Sequence, residues 1–206
     1  RRIVPDIKTT VVGSYPVPEW LRAYPSAPNL RDAILAVMKT QELAGIDVIS
    51  DGELSRFDVN HPDTNGMIET FIAPLGGVRT KLSRAEVSEF RTLPGMEFRR
   101  RPAGVVEGPI TEGMLDLVGE WDSVRSLSDR DIKFTVTAPY MLAKTLVDHH
   151  YGNLRELTNA IGTALARQVA EINAPIVQVD EANLPGHPED ADWAHEPINI
   201  VLDAVN

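Results

Sequence analysis

The chain has 206 residues, 43% of them hydrophobic and 24% charged, and its 20 Lys and Arg against 30 Asp and Glu give a formal net charge of −10. That size suits one domain with a sizeable core, and the negative balance argues against nucleic acid and anionic lipid surfaces as partners. With no cysteine in the sequence, disulfides and thiolate metal ligands are excluded on this chain. No stretch approaches the roughly 20 apolar residues that span a bilayer. The opening Arg1-Arg2-Ile3-Val4-Pro5-Asp6 lacks the apolar core of a leader peptide, so a cytoplasmic location is expected.

Residues 7–12 are short and β-branched and stop at Gly13-Ser14-Tyr15-Pro16, which predicts a first strand. Leu30, Ile34, Val37 and Met38 recur at helical spacing, with Asn29 as the expected cap, Asp32 in the first turn and Gly45 at the end. Ile46–Ser50 then predicts a second strand running into Asp51-Gly52-Glu53. Strand, helix and strand make a βαβ unit and imply a parallel sheet. Residues of about 74–101 show no sustained helical period, and are expected to be an inserted loop or hairpin. Residues 104–109 predict a third strand, followed by a short helix carrying Met114, Leu115, Leu117 and Val118. Ile132–Thr137 alternates Phe134 and Val136 with polar residues and predicts a fourth strand ending at Ala138-Pro139. Asn153 and Glu156 form a capping-box pattern ahead of a helix that aligns Leu157, Ile161, Leu165, Val169 and Ile172. Ile176–Glu181 predicts a fifth strand, and a last helix is expected from about Pro197. No repeat or low-complexity tract interrupts the chain.

In a parallel α/β fold the carboxyl ends of the strands open on one face, so Gly13-Ser14, Asp51-Gly52-Glu53, Glu107, Ala138-Pro139 and Asp180-Glu181 are expected to converge. A dinucleotide site would need G-x-G-x-x-G after the first strand, and none is present. Grouped carboxylates serve to hold a metal, grip an ammonium group, or divide acid and base roles. Taken singly, strand-end acids are equally often helix caps. The Gly13-Ser14 turn offers N–H groups and a hydroxyl to a substrate carboxylate, or is simply a tight turn. Adjacent His149 and His150 point apart on regular structure and make a poor metal pair. His61, His187 and His195 lie in polar, proline-rich stretches and are expected to be solvated, as is Arg99-Arg100-Arg101. Trp20 is open to two readings, a cover for the mouth of the fold or packing on the first helix.

Three motifs in order, Thr9-Thr10-Val11-Val12-Gly13-Ser14, then Gln41–Val48 with Asp51-Gly52-Glu53 and Arg56, then Val177-Gln178-Val179-Asp180-Glu181, resemble the catalytic barrel of the cobalamin-independent methionine synthase family. The resemblance covers nearly the whole chain. It implies the first five strands of a (β/α)8 TIM-type barrel, a single incomplete domain over residues 1–206. It also implies zinc-dependent transfer of a methyl or other alkyl group to a small thiol such as homocysteine, the metal activating the thiol as thiolate. In that family the Gly-Ser turn and the acid after the second strand hold the amino-acid thiol, and the acid after the fifth strand holds its ammonium group. Carried over by motif, the substrate-binding residues are Val12, Gly13, Ser14, Glu53 and Asp180, with Asp51, Arg56 and Glu181 in support.

The departures define the remaining expectations. The family's zinc ligands are a His-x-Cys pair, a Glu and a further Cys on later strands, so no zinc ligand is expected on this chain. The fourth strand ends in Ala138-Pro139-Tyr140-Met141 without the family's tryptophan-bearing folate loop, which argues against folate as donor. Asp180-Glu181 is followed by Ala182-Asn183 where the family usually has Pro-Ala. A second polypeptide, or a further C-terminal segment, is expected to complete the barrel and bring the zinc. The alternatives are a non-catalytic subunit binding a small amine or amino acid, and a metal-free lyase similar to the uroporphyrinogen decarboxylase-like barrels.

Overall fold

The computed structural model describes residues 7–57, 65–97 and 99–205. Its helices are α1 (Glu19–Ala23), α2 (Ala27–Leu43), α3 (Gly66–Ile72), α4 (Arg84–Phe90), α5 (Leu117–Val124), α6 (Pro139–Lys144), α7 (Leu154–Val169) and α8 (Ala191–Leu202). Its strands are β1 (Val48–Ile49), β2 (Gly76–Arg79), β3 (Gly104–Thr111), β4 (Asp131–Thr137), β5 (Leu146–Asp148) and β6 (Ile176–Asp180). The chain forms two units, one taking in the described residues 7–57, 119–135 and 174–178, the other 65–118, 136–173 and 179–205. Among the described residues no helix is long and apolar enough to cross a membrane. His61 lies outside the described residues.

The sheet of the first unit has the order β1-β4-β6. β1 and β4 are parallel, Val48 opposite Asp131 and Ile49 opposite Ile132. The expected first strand is reduced to a single parallel bridge between Thr10 and Val48. Its β-branched residues find no layer to cover them, and Ile7 and Val12 stay 79% and 77% exposed. Helix α2 starts earlier than the apolar spacing suggests. Ser26, not Asn29, is the cap, its hydroxyl accepting the Asn29 N–H, and Pro28 fits the first turn because no intrahelical bond is lost there. Ala33, Ile34, Val37 and Met38 fill the core beneath it. Gln41 is buried with them and locks the helix to the strand end, accepting the Ser50 N–H at 2.9 Å and donating to the Ser50 carbonyl at 2.8 Å.

β4 departs from its sequence pattern. Alternation predicts one wet face, yet Lys133 and Thr135 are each only 4% exposed and Thr137 is fully buried. A parallel strand covered on both faces buries whatever it carries, so these polar side chains must be hydrogen-bonded inside the fold.

The second unit has its own sheet, β2-β3-β5, with β2 antiparallel and β5 parallel to β3. Residues 74–101 therefore contain β2 and α4. The register of β2 shifts between Gly76 and Val78, where Gly77 takes φ +84° against the Pro109 carbonyl, a place closed to any Cβ. Helix α4 is too short for a periodic signal but carries a reciprocal capping box between Ser83 and Glu86. It delivers Phe90 to a core of Met96, Val105 and Val147. Because β3 belongs to this sheet, Glu107 does not end a strand of the first one; it is exposed and pairs with Arg79 at 2.8 Å. Asn153 caps α7, and Leu157, Ile161, Leu165, Val169 and Ile172 are buried. α8 begins at Ala191, well before the expected Pro197, which lies inside the helix. It crosses α7 at Gly162, where an added Cβ would stand 2.9 Å from the Pro197 carbonyl oxygen.

Candidate functional site

The site of the first unit is built on the turn after β1. Gly52 and Glu53 both adopt left-handed backbone, φ +73° and +57°, and Glu53 is the non-glycine residue that does so among the described residues. The Asp51 carboxylate accepts the Glu53 N–H at 2.9 Å and helps to hold this conformation, which costs a side-chain-bearing residue about 1–2 kcal/mol. Gly52 is required here, since a Cβ would lie 2.8 Å from the Tyr15 Cβ and 2.9 Å from Val37. That close approach lets the Tyr15 N–H donate to the Gly52 carbonyl at 2.9 Å. The Gly13-Ser14 segment is thereby seated beside the turn, and the Ser14 hydroxyl donates to the Glu53 carboxylate at 2.5 Å. Val12 precedes it, exposed.

A buried charge network backs Glu53. Arg56, 5% exposed, donates from Nε to Glu120 at 2.9 Å and from its two terminal nitrogens to the Thr135 hydroxyl at 2.9 Å and the Thr135 carbonyl at 2.6 Å. Its guanidinium also lies 5.7 Å from the centre of the Phe134 ring. The Thr135 hydroxyl reaches the other Glu53 oxygen at 3.1 Å. Lys133, two residues back on the same face of β4, donates to the Val11 carbonyl and, at 2.6 Å, to Gln178 on β6. Inward-facing β4 residues thus support both halves of the turn pair, Lys133 beneath Val11 and Thr135 beneath Glu53.

Three carboxylates, Asp51, Glu53 and Glu120, are crowded around Arg56. Burial pushes the Asp51 carboxyl up, opposed by the Arg56 charge and the Glu53 N–H. Burial also pushes Glu120 up despite its ion pair with Arg56, and the Asp51 charge adds to the shift. The carboxylates of Asp51 and Glu53 are buried and that of Glu120 nearly so, which leaves this part of the first unit strongly acidic around Arg56.

In the second unit Asp180 ends β6, and its carbonyl accepts the Ala138 N–H at 2.8 Å. Glu181 serves the backbone: it accepts N–H groups from Met141 at 3.0 Å, Asn183 at 2.6 Å and Leu184 at 3.0 Å. Burial raises its pKa and these three donors oppose the rise. His187 is not solvated; it is 7% exposed and bonds Glu189 at 3.1 Å. His187, Glu189 and Asp190 form the one group of ligand-type side chains close enough for a metal among the described residues. It does not fit the thiolate zinc set implied by the resemblance, since the chain has no cysteine. Asp190 is moreover engaged by the Tyr140 hydroxyl at 2.6 Å and the Trp193 indole at 3.2 Å. His195 is exposed on α8, not in a loop. His149 bonds exposed Glu89, and His150 stacks edge-on against Tyr151. Arg99 pairs with Glu69, while Arg100 and Arg101 are exposed. Trp20 lies on α1, 44% exposed.

The model of the family described as "Cobalamin-independent synthase, Catalytic domain" matches residues 7–198. The chain belongs to the cobalamin-independent methionine synthase family. Within it, the chain is 31% identical to a methionine synthase of Saccharolobus solfataricus over 98% of its own length and 61% of the relative's. It is 29% identical to one of Sulfurisphaera tokodaii, over 98% and 60%. The chain thus spans about three fifths of the length of these curated relatives. A B12-independent methionine synthase of Shewanella sp. W3-18-1, solved in complex with selenomethionine, superposes with a TM-score of 0.73 at 23% identity, over 96% of this chain and 58% of that one. A putative vitamin-B12 independent methionine synthase of Listeria monocytogenes gives 0.65 at 15% identity, over 96% and 63%. Both show a shared α/β fold with a parallel sheet.

The Gly13-Ser14 and Asp51-Gly52-Glu53 motifs that carry the family resemblance are thus the two segments joined by the Ser14–Glu53 bond. Sequence reasoning missed Glu120, Lys133 and Thr135. The available signal was Lys-x-Thr-x-Thr alternating with Ile132, Phe134 and Val136, polar residues on a strand too apolar to be an edge.

Proposed function

We propose that this chain supplies the substrate-orienting part of a thiol methyltransferase or alkyltransferase site, acting on homocysteine or a similar small amino-acid thiol. The observation that carries the reading is the 2.5 Å contact between Ser14 and the buried Glu53. In this reading Gly13 and Ser14, with Val12 beside them, receive the amino-acid carboxylate, and Glu53 receives the ammonium group. Asp180 is a second ammonium partner on its motif position alone. Asp51 and Arg56 support Glu53, and Glu181 supports the chain around Asp180. The fold is the front of a (β/α)8 barrel, completed by a second polypeptide or a further segment, in a cytoplasmic setting.

Zinc ligands are assigned outside these 206 residues, because the family's set needs two cysteines and the sequence has none. The donor is a methylated or alkylating small molecule or carrier other than folate, as Ala138-Pro139-Tyr140-Met141 lacks the folate-loop tryptophan. One rival is a subunit that binds a small amine or amino acid through Glu53 and Asp180 without performing chemistry. Calorimetric titration of L-homocysteine into the full chain, with Glu53→Gln and Asp180→Asn alongside, tests the reading. Both variants should bind more weakly with metal content unchanged. Loss of metal on either change would mean that these carboxylates are ligands, and an unchanged affinity in both would remove the reading. Zinc that accompanies the active protein separates transfer chemistry from the binding-only rival.

A further inference from the structure

We propose that Thr135 is a positioning residue for Glu53, passing the fixed orientation of Arg56 through its hydroxyl to the carboxylate that receives the substrate. This rests on the reading of Glu53 as the ammonium anchor.

The direction of the relay follows from donor and acceptor chemistry. A guanidinium only donates, so the Thr135 oxygen must accept from Arg56 at 2.9 Å. The single hydroxyl proton is then left for the Glu53 oxygen at 3.1 Å. The Ser14 hydroxyl takes the second Glu53 oxygen at 2.5 Å. Glu53 is thus held from two sides by donors, and each oxygen keeps a further lone-pair direction for an ammonium group.

The supporting shell is rigid where the anchor is not. Thr135 sits on a central, doubly covered strand, is 4% exposed and β-branched, and therefore has few rotamers. Arg56 is fixed on it by a second bond to the Thr135 carbonyl at 2.6 Å and by Glu120. Glu53, by contrast, lies in a left-handed turn, and its longer side chain has more torsions to fix. Without the hydroxyl the Glu53 carboxylate retains, among the described residues, only Ser14, which belongs to a segment bridged to β1 at a single residue pair.

The test uses the full chain with Thr135→Val, which keeps shape and removes the hydroxyl, Thr135→Ala as a second deletion, and Thr135→Ser, which restores it. The probes are L-homocysteine and its 2-hydroxy analogue, which lacks the ammonium group. The Val and Ala variants should bind L-homocysteine about tenfold or more weakly, should bind the hydroxy analogue as the parent does, and should recover with Ser. Crystal structures of the variants should show the Glu53 carboxylate displaced from its parent position in Val and Ala and kept in place in Ser. Glu53 remaining in place in both deletion variants overturns the inference. So does an equal loss of both probes in all three variants, which would mark Thr135 as packing only. If Glu53 moves as expected but the parent does not bind L-homocysteine, the positioning role stands and the functional reading falls.

Discussion

The Ser14 hydroxyl and the Glu53 carboxylate, 39 positions apart in sequence, meet at 2.5 Å because a glycine between them and β1 leaves no side chain in the way. Ser14 is exposed and among the described residues its hydroxyl makes this one bond, so its removal should spare the fold. Ser14→Ala should weaken L-homocysteine binding by about 1–2 kcal/mol with an unchanged unfolding midpoint, as read by calorimetry and urea titration. A normal affinity would place the amino acid elsewhere.

Gly52→Ala should be far more damaging than its size suggests. The new methyl meets Tyr15 and Val37 below 3 Å on a backbone at φ +73°. A loss of about 2–4 kcal/mol is expected from overpacking and strain together, measured by denaturant unfolding. A loss under about 0.5 kcal/mol, the usual range for surface changes, would contradict the close approach.

Glu53 gives a test in which the usual ranking of residues is inverted. Glu53→Gly and Glu53→Ala both remove the carboxylate, but only glycine is at ease at φ +57°. The glycine variant should be the more stable by about 1 kcal/mol after its greater unfolded-state entropy is allowed for. The opposite order would refute the left-handed turn.

Arg56 should be costly to remove alone. Its truncation to alanine leaves Glu120, 11% exposed at its side chain, without its partner, and about 3–5 kcal/mol should be lost. Replacing the pair with Met at 56 and Leu at 120 should recover much of that stability but not ligand binding, since Thr135 then loses the donor that orients it. Urea titration and calorimetry on the single and double variants check both halves.

Asp51 sets a pH dependence of definite sign. Its folded pKa is raised, chiefly by burial, above the ordinary 3.8. The folded state then holds a proton that the unfolded chain has released. The associated stability is fully present below about 3.8 and is lost as pH rises through the raised folded value. Glu120 acts in the same sense. Asp51→Asn, which keeps an acceptor for the Glu53 N–H, should therefore flatten the fall in stability across that window. Urea midpoints measured from pH 3 to pH 8 report it, and a steeper fall in the variant would reverse the assignment.

Elements with a long period or a clear cap were legible from residues alone, as α7 behind Asn153 shows. The segments at Gly13-Ser14 and Asp51-Gly52-Glu53 are legible as turns because turns concentrate Gly, Ser and Asp for steric reasons. What stayed hidden depends on pairing between distant segments. Residues 7–12 read as a full strand but hold a single bridge, and β3 reads like its neighbours but pairs into a second sheet. Thr135 and Lys133 are ordinary strand residues until burial on both faces makes their hydrogen bonds obligatory. Pro197 reads as a helix start, and becomes an interior residue because α8 tolerates one missing N–H where it crosses Gly162.

The lone bridge at Thr10 gives the segment that carries Ser14 the character of a latch. It is fastened by Thr9 to Asp47 and Val48, by Lys133 to the Val11 carbonyl and by Tyr15 to the Gly52 carbonyl, and by little buried apolar surface. Such a segment opens at a lower free energy than the strands behind it. Backbone amides of residues 9–15 should then exchange with solvent long before those of β4, and should slow when an amino acid is bound. Part of the binding energy would be spent on closing the latch, so affinity here depends on how firmly these hydrogen bonds hold a strand that never fully became one.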